Sequence, residues 1–146
     1  DFPAGSYIRN PPESSHTPGS DEGCTIFVKL WQFDMADRTH IRADTNKMRF
    51  VPDRKGVEVM PLFSDGQEDV VVERWSSGET IELNAPNGLE VLVLEGGFEE
   101  SGETFKKHSW LRLPRGSVTE IKVGHNGAKL WIKRDHLKED PKGPEI

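Results

Sequence analysis

Cysteine is nearly absent. Cys24 stands alone, so no disulfide can form within the chain. No stretch shows the basic, apolar and small-residue order of a signal peptide, and a reducing cytoplasm is the expected setting. Long apolar runs are missing too. Stretches such as Leu89 to Leu94 fall far short of the about 20 residues that a membrane-spanning helix needs, so no membrane partner is expected. Positive charge is in short supply: 19 Lys and Arg face 25 Asp and Glu, a net charge of −6. Nucleic-acid binding draws its affinity from cations that neutralise phosphates, and no nucleic-acid partner is expected. The basic residues are scattered and form no stripe. Also lacking are a Ser/His/Asp or Cys/His nucleophile arrangement, a phosphate-cradling glycine loop, a Cys-x-x-Cys pair and any sustained 3.6-residue period.

What remains is a pattern of short alternating apolar segments cut by Gly, Pro, Asn and Asp, which reads as all-β. Candidate strands are Ser6–Arg9, Ser14–Pro18, Cys24–Phe33, Val57–Pro61, Val70–Trp75, Thr80–Leu83, Glu90–Leu94, Ser109–Leu113, Val118–Val123 and Ala128–Arg134. Turn residues that tolerate positive φ separate them at Ser64-Asp65-Gly66, Ser77-Gly78, Ala85-Pro86-Asn87-Gly88, Ser101-Gly102 and His125-Asn126-Gly127. Such spacing suggests a sandwich or barrel. Between Asp34 and Gly56 the alternation lapses into mixed charge, which predicts a surface connector, and His136 to Ile146 reads as a polar tail.

The sequence repeats itself. FPAGSYIRNPPESSH lines up with FKKHSWLRLPRGSVT from Phe105 at a constant offset of 103, so that Phe2 falls on Phe105, Arg9 on Arg112, Pro11 on Pro114 and Ser14 on Ser117. After a one-residue slip, Gly23–Lys29 lies over Gly127–Lys133. Two generic hairpins would also share a few apolar positions. The shared Arg-x-Pro-x-x-Ser favours duplication. On that reading the copy ending at Arg134 is preceded by Gly56 to Lys107, for which the copy ending at Phe33 has no counterpart. Residues 1–33 are then the C-terminal half of a first unit, 34–56 a connector, 57–134 a complete second unit and 135–146 a tail. The strands from Ser6 to Phe33 would need a missing N-terminal half, a second copy of the chain in a homodimer, or the complete unit's own sheet to pair with.

From Gly78 to Gly97, GETIELNAPNGLEVLVLEGG resembles the first signature of the cupin superfamily, and Leu113–Thr119 resembles the second. Strand sequences such as GSYIRNPPESSHTP, EGCTIFVKLWQF and EVLVLEGGF are similar to the cupin-like domain of ChrR anti-sigma factors. The resemblance implies a double-stranded β-helix (jelly-roll) barrel, with an extra N-terminal set of strands from a half unit, in a two-unit (bicupin) protein. It places metal ligands at Asn84, Pro86, Glu90 and Thr119 of the complete unit, where the family carries two His, a Glu and a third His. Proline binds no metal, and Asn and Thr are poor substitutes for imidazole toward a transition metal. The complete unit is therefore expected to have lost its metal site, with no cofactor there, and Glu90 to serve as a strand-end carboxylate or a partner of Arg112. In the incomplete unit His16 falls at the third-His position, opposite Thr119 in the alignment, so a divalent metal, zinc or iron, is implied there with further ligands from outside this sequence. Cys24 on the next expected strand reads as a small buried residue, or as redox-sensitive near a metal. His40, His108, His125 and His136 read as solvated, and Gly96–Glu103 as a hydrated loop. No catalytic residue is assigned. The resemblance implies a metal-binding or ligand-sensing regulatory module that takes a small molecule. A sigma-factor partner is not expected, because no helical Cys/His zinc segment is present. The alternatives are a metal-dependent dioxygenase acting on a small carbonyl compound and a structural dimerisation module.

Overall fold

The computed structural model describes residues 1–143, and they are organised as two compact units: Asp1–Asn46 with the residues from Pro141 on, and Lys47–Asp140. Every regular element except one 3-10 turn is a β-strand, and no helix is long and apolar enough to cross a membrane among the described residues.

The larger unit carries one sheet with the order β3 (Val51–Arg54), β4 (Val57–Ser64), β5 (Asp69–Trp75), β10 (Ser117–Arg134), β7 (Leu89–Glu100) and β8 (Glu103–Lys106). Two further strands branch from it: β6 (Thr80–Ala85) pairs with β10, and β9 (Trp110–Leu113) pairs with β7. Every pairing is antiparallel. Side-chain alternation sets the inner face. Ala128, Leu130 and Ile132 on β10 lie opposite Trp75, Glu73 and Val71 on β5, while Leu130 and Ile132 lie opposite Val93 and Val91 on β7. Opposed residues project from the same side of a sheet, so these strands form one apolar wall. Leu130, Ile132, Val91 and Val93 are all fully buried. Each such side chain contributes roughly 1.5–3 kcal/mol on leaving water. Trp75, Phe98 and Phe105 close the core, with the Trp75 and Phe98 rings 5.6 Å apart and Phe98 stacked on Phe105 at 4.8 Å.

Four of the five expected turns lie between strands, and the fifth does not. Val118–Val123 and Ala128–Arg134 belong to one 18-residue strand, and His125-Asn126-Gly127 is an irregularity inside it, where pairing with β7 shifts between Val123 and Ala128. Glycine is required there. A Cβ on Gly96 (φ 68°) would sit 2.0 Å from the Gly127 carbonyl oxygen, so β7 and β10 approach more closely than side chains allow. Gly96–Glu103, expected as a hydrated loop, instead continues β7 through the Ser101-Gly102 turn into β8. The expected tail also departs from its reading. Leu137 is buried against Gly88, and its amide donates to the Asn87 carbonyl at 3.0 Å, which anchors residues 135–137.

The smaller unit holds a two-stranded sheet of β1 (Ser6–Arg9) and β2 (Ile41–Asp44), followed by the 3-10 turn Thr45–Lys47. The expected connector 34–56 therefore contains regular structure: β2, the 3-10 turn and, in the larger unit, β3. Arg9 anchors the N-terminal strand. Its guanidinium forms a bidentate pair with Asp37, donates to the Thr39 carbonyl at 2.9 Å and lies 3.8 Å above the Phe33 ring. Ser14–Pro18 and Cys24–Phe33, both expected as strands, belong to neither sheet. A strand forms only where a neighbour completes its hydrogen-bond ladder, and no strand lies beside these segments among the described residues.

The aligned copies share backbone geometry up to that point. The Ser6 amide donates to the Pro3 carbonyl at 3.1 Å, and the Ser109 amide to that of Lys106 at 2.8 Å. The Ser14 hydroxyl donates to the Pro11 carbonyl at 2.6 Å, and that of Ser117 to Pro114 at 2.7 Å. Positive φ falls at Gly5 and His108, and again at Glu13 and Gly116. Each pair is 103 residues apart. Beyond Ser14 the copies diverge, since Ser117 opens β10 whereas Ser14 leads into irregular chain.

Candidate functional site

The strand β5 reads DVVVERW, and its alternation sends Glu73 to the same side as Val71 and Trp75, into the apolar interior. A buried carboxylate is costly unless it is paired and hydrogen-bonded. Glu73, 2% exposed, receives three donors: the Trp75 indole Nε1 at 2.7 Å, Arg134 Nη2 at 2.7 Å and Arg54 Nη2 at 3.1 Å. Arg134 ends β10, and Arg54 ends β3. Burial works against the charge on Arg54, but Glu73 and Asp53 beside it outweigh that effect and raise its pKa above the ordinary guanidinium value.

These groups lie in an open cleft of about 400 Å³. Val59, Val71, Leu83 and Leu89 supply apolar lining; Asp53, Asp69, Glu82 and Asn84 add polar groups to Glu73 and the two arginines. Four carboxylates against two guanidiniums leave the lining acidic, which disfavours anions. The chemistry on offer is hydrogen bonding from fixed donors and acceptors over an apolar surface, the usual construction of a small-molecule site.

The residues that the family resemblance assigns to a metal do not come together. Thr119 lies opposite Leu83 in the β6–β10 register and Asn84 opposite Val118, so the two project from opposite faces of the pair. The Thr119 hydroxyl donates to Glu100 at 2.7 Å. Asn84 and Pro86 are exposed, and Asn84 lines the cleft. Glu90 is fully buried on the face opposite Leu89 and Val91, where it lies across from Arg112 on one side and Lys133 on the other. Arg112 holds it as expected, with Nε at 2.9 Å and Nη2 at 2.7 Å from Oε1. These residues do not fit a family-type metal. Among the described residues no three His, Cys, Asp or Glu side chains gather in a way that could hold a metal ion.

In the smaller unit His16 and Cys24 are exposed, so Cys24 is not the buried residue expected. Its strand does not form, and nothing encloses it. His136 also differs from its solvated reading. It is 10% exposed, with Nε2 3.4 Å from the Glu90 carboxylate, because the chain beyond β10 folds back at Leu137. Arg54, Glu73 and Arg134 were not singled out from the sequence. Glu73 had a local signal, a charge between Val72 and Arg74 in an otherwise apolar strand. Arg54 had none, since it lies in the segment read as a connector.

Comparison with known proteins accords with this architecture. Residues 1–34 match the family described as ChrR Cupin-like domain. Residues of the chain are 32% identical over 89 positions to the probable beta-glucosidase G of Emericella nidulans, a match that covers 60% of this chain and 10% of that protein. The chain thus spans about a tenth of the length of that curated relative. Among solved structures, the Rhodobacter sphaeroides complex of SigE with the anti-sigma ChrR aligns with a TM-score of 0.56 at 14% identity, covering 62% of this chain and 50% of that one. An RmlC-like cupin from Shewanella frigidimarina gives 0.55 at 14% identity, with 65% and 89% covered. The Schizosaccharomyces pombe Cnp3 cupin domain gives 0.53 at 15% identity, with 67% and 78% covered. The protein has the cupin fold, and its residues 1–34 carry a ChrR cupin-like sequence.

Proposed function

We propose that this protein is a ligand-sensing regulatory module whose larger unit takes a small neutral polyhydroxylated molecule in the Glu73 cleft. The observation that carries the reading is the buried Glu73 carboxylate fixing Arg54 and Arg134 at a cleft with apolar lining. Their guanidiniums are oriented before a ligand arrives, which lowers the cost of ordering them on binding. The acidic excess selects against carboxylates and phosphates, while hydroxyl groups donate to Asp69 and Glu82 and accept from arginine. The regulatory part of the reading is supported by likeness to ChrR, which was solved in complex with SigE.

Titration calorimetry with a panel of sugars, polyols, amines and carboxylic acids tests it. Saturable binding of a neutral polyol, weakened at least tenfold by Glu82→Gln, is expected. No binding by any neutral compound, or preferred binding of an anion, overturns the assignment.

The match over residues 1–34 includes His16 and so favours a second reading, a zinc or iron ion bound in that unit with ligands from outside this sequence. Metal content of the purified protein, compared with that of His16→Ala, decides it. Equal content in both proteins excludes His16 as a ligand.

A further inference from the structure

The segment from Cys24 to Leu30 alternates like a strand, yet it lies outside both sheets with its apolar residues in solvent: Ile26 is 71% exposed, Val28 55% and Leu30 75%. Its counterpart is known in detail. With Gly23–Lys29 over Gly127–Lys133, Cys24 corresponds to Ala128, Ile26 to Leu130 and Val28 to Ile132. Those three are the inward residues of β10, and the last two are fully buried. β10 acquires its place because β5 pairs with one of its edges and β7 with the other.

We infer that residues 23–33 form a docking strand for a partner half-barrel, a cupin half-unit that presents β5-like and β7-like strands with the central position between them open. The partner's chemistry follows from the equivalence. It supplies two antiparallel edges and an apolar face that closes over Ile26 and Val28. This chain's own β5 and β7 cannot serve, because β10 already lies between them. A second copy serves poorly. Two antiparallel copies of this segment would make a two-stranded ribbon that still exposes both Ile26 and Val28, and such ribbons are marginal in water. The shared turns at Pro3–Ser6 and Pro11–Ser14 already set the chain as it is set ahead of β10.

The test is a fusion that repeats residues 47–104 directly ahead of Phe2, the counterpart of Phe105, followed by hydrogen exchange on the fusion and on the 146-residue chain. In the 146-residue chain, amides 24–33 are expected to exchange at unprotected rates, independent of protein concentration, and the chain to sediment as a monomer. In the fusion, amides 26–30 are expected to slow by at least 100-fold, and Val28→Asp to abolish that protection while the original larger unit keeps its own. Unprotected amides in the fusion overturn the inference. So does a concentration-dependent dimer of the 146-residue chain in which 24–33 become protected, which would identify a second copy as the partner.

Discussion

The Trp75 indole donates to the Glu73 carboxylate at 2.7 Å, a contact between two residues one position apart on the same face of β5 that ties the apolar core to the cleft. The same carboxylate holds Arg134 from β10 and Arg54 from β3, so one side chain joins three strands. Glu73→Gln keeps the shape and removes the charge that both guanidiniums face. A loss of about 3 kcal/mol is expected, as for other buried pairs broken from one side. The midpoint of urea unfolding measures it, and a change below 0.5 kcal/mol, roughly the effect of a surface substitution, would contradict the role assigned to Glu73.

A second buried pair lies on the other face of the same strands. Lys133 is 2% exposed and contacts Glu68, 4% exposed. Lys133→Met alone should cost about 3–5 kcal/mol, because Glu68 would remain as an uncompensated charge. Lys133→Met combined with Glu68→Leu should recover a large part of that loss. Equal losses in the single and double variants would show that the two charges are not coupled.

The Asp37 carboxyl is held far below the usual carboxylate range, first by its side-chain hydrogen bond to Arg9 and further by the Thr39 amide, against a smaller opposing effect of burial. The folded pKa is depressed, so the stabilisation is fully present above the unfolded value of about 3.9 and is lost as pH falls through and below it. Acid unfolding of the smaller unit, followed by exchange of the β1 amides below about pH 4, should lose this dependence in Asp37→Asn. An unchanged acid profile in the variant would remove Asp37 as its source.

Gly88 has φ 82°, and a Cβ there would meet Leu137 at 2.3 Å. Gly88→Ala should therefore destabilise the larger unit by about 1–3 kcal/mol through strain and overpacking. Leu137→Ala in the same chain should relieve part of the loss, since it removes the atoms struck. Additive losses in the double variant would show that the clash is not the cause.

How much was legible in the sequence varies from strand to strand. Val70–Trp75 and Thr80–Leu83 were readable because alternation and turn residues act within a few positions, and the observed β5 and β6 differ from them only at their ends. The Glu90–Arg112 pair was also readable from residue chemistry. The cleft was not. Arg54, Glu73 and Arg134 are far apart in sequence, and only strand pairing brings them together. The signature alignment misled for a related reason. It matches Asn84, Glu90 and Thr119 by spacing, whereas the observed registers turn Asn84 from Thr119 and place Glu90 opposite Lys133.

The sequence by itself determined the all-β character, most turns and the duplicated Arg-x-Pro-x-x-Ser pattern, because these depend on local dihedral preference and two-residue periodicity. Only the tertiary structure decided which equivalent segments become strands. Gly127–Lys133 and Gly23–Lys29 carry similar residues, but a strand's hydrogen bonds and its dry face are both completed by neighbours. β10 has β5 and β7 beside it, and the segment at 23–29 lies outside both sheets.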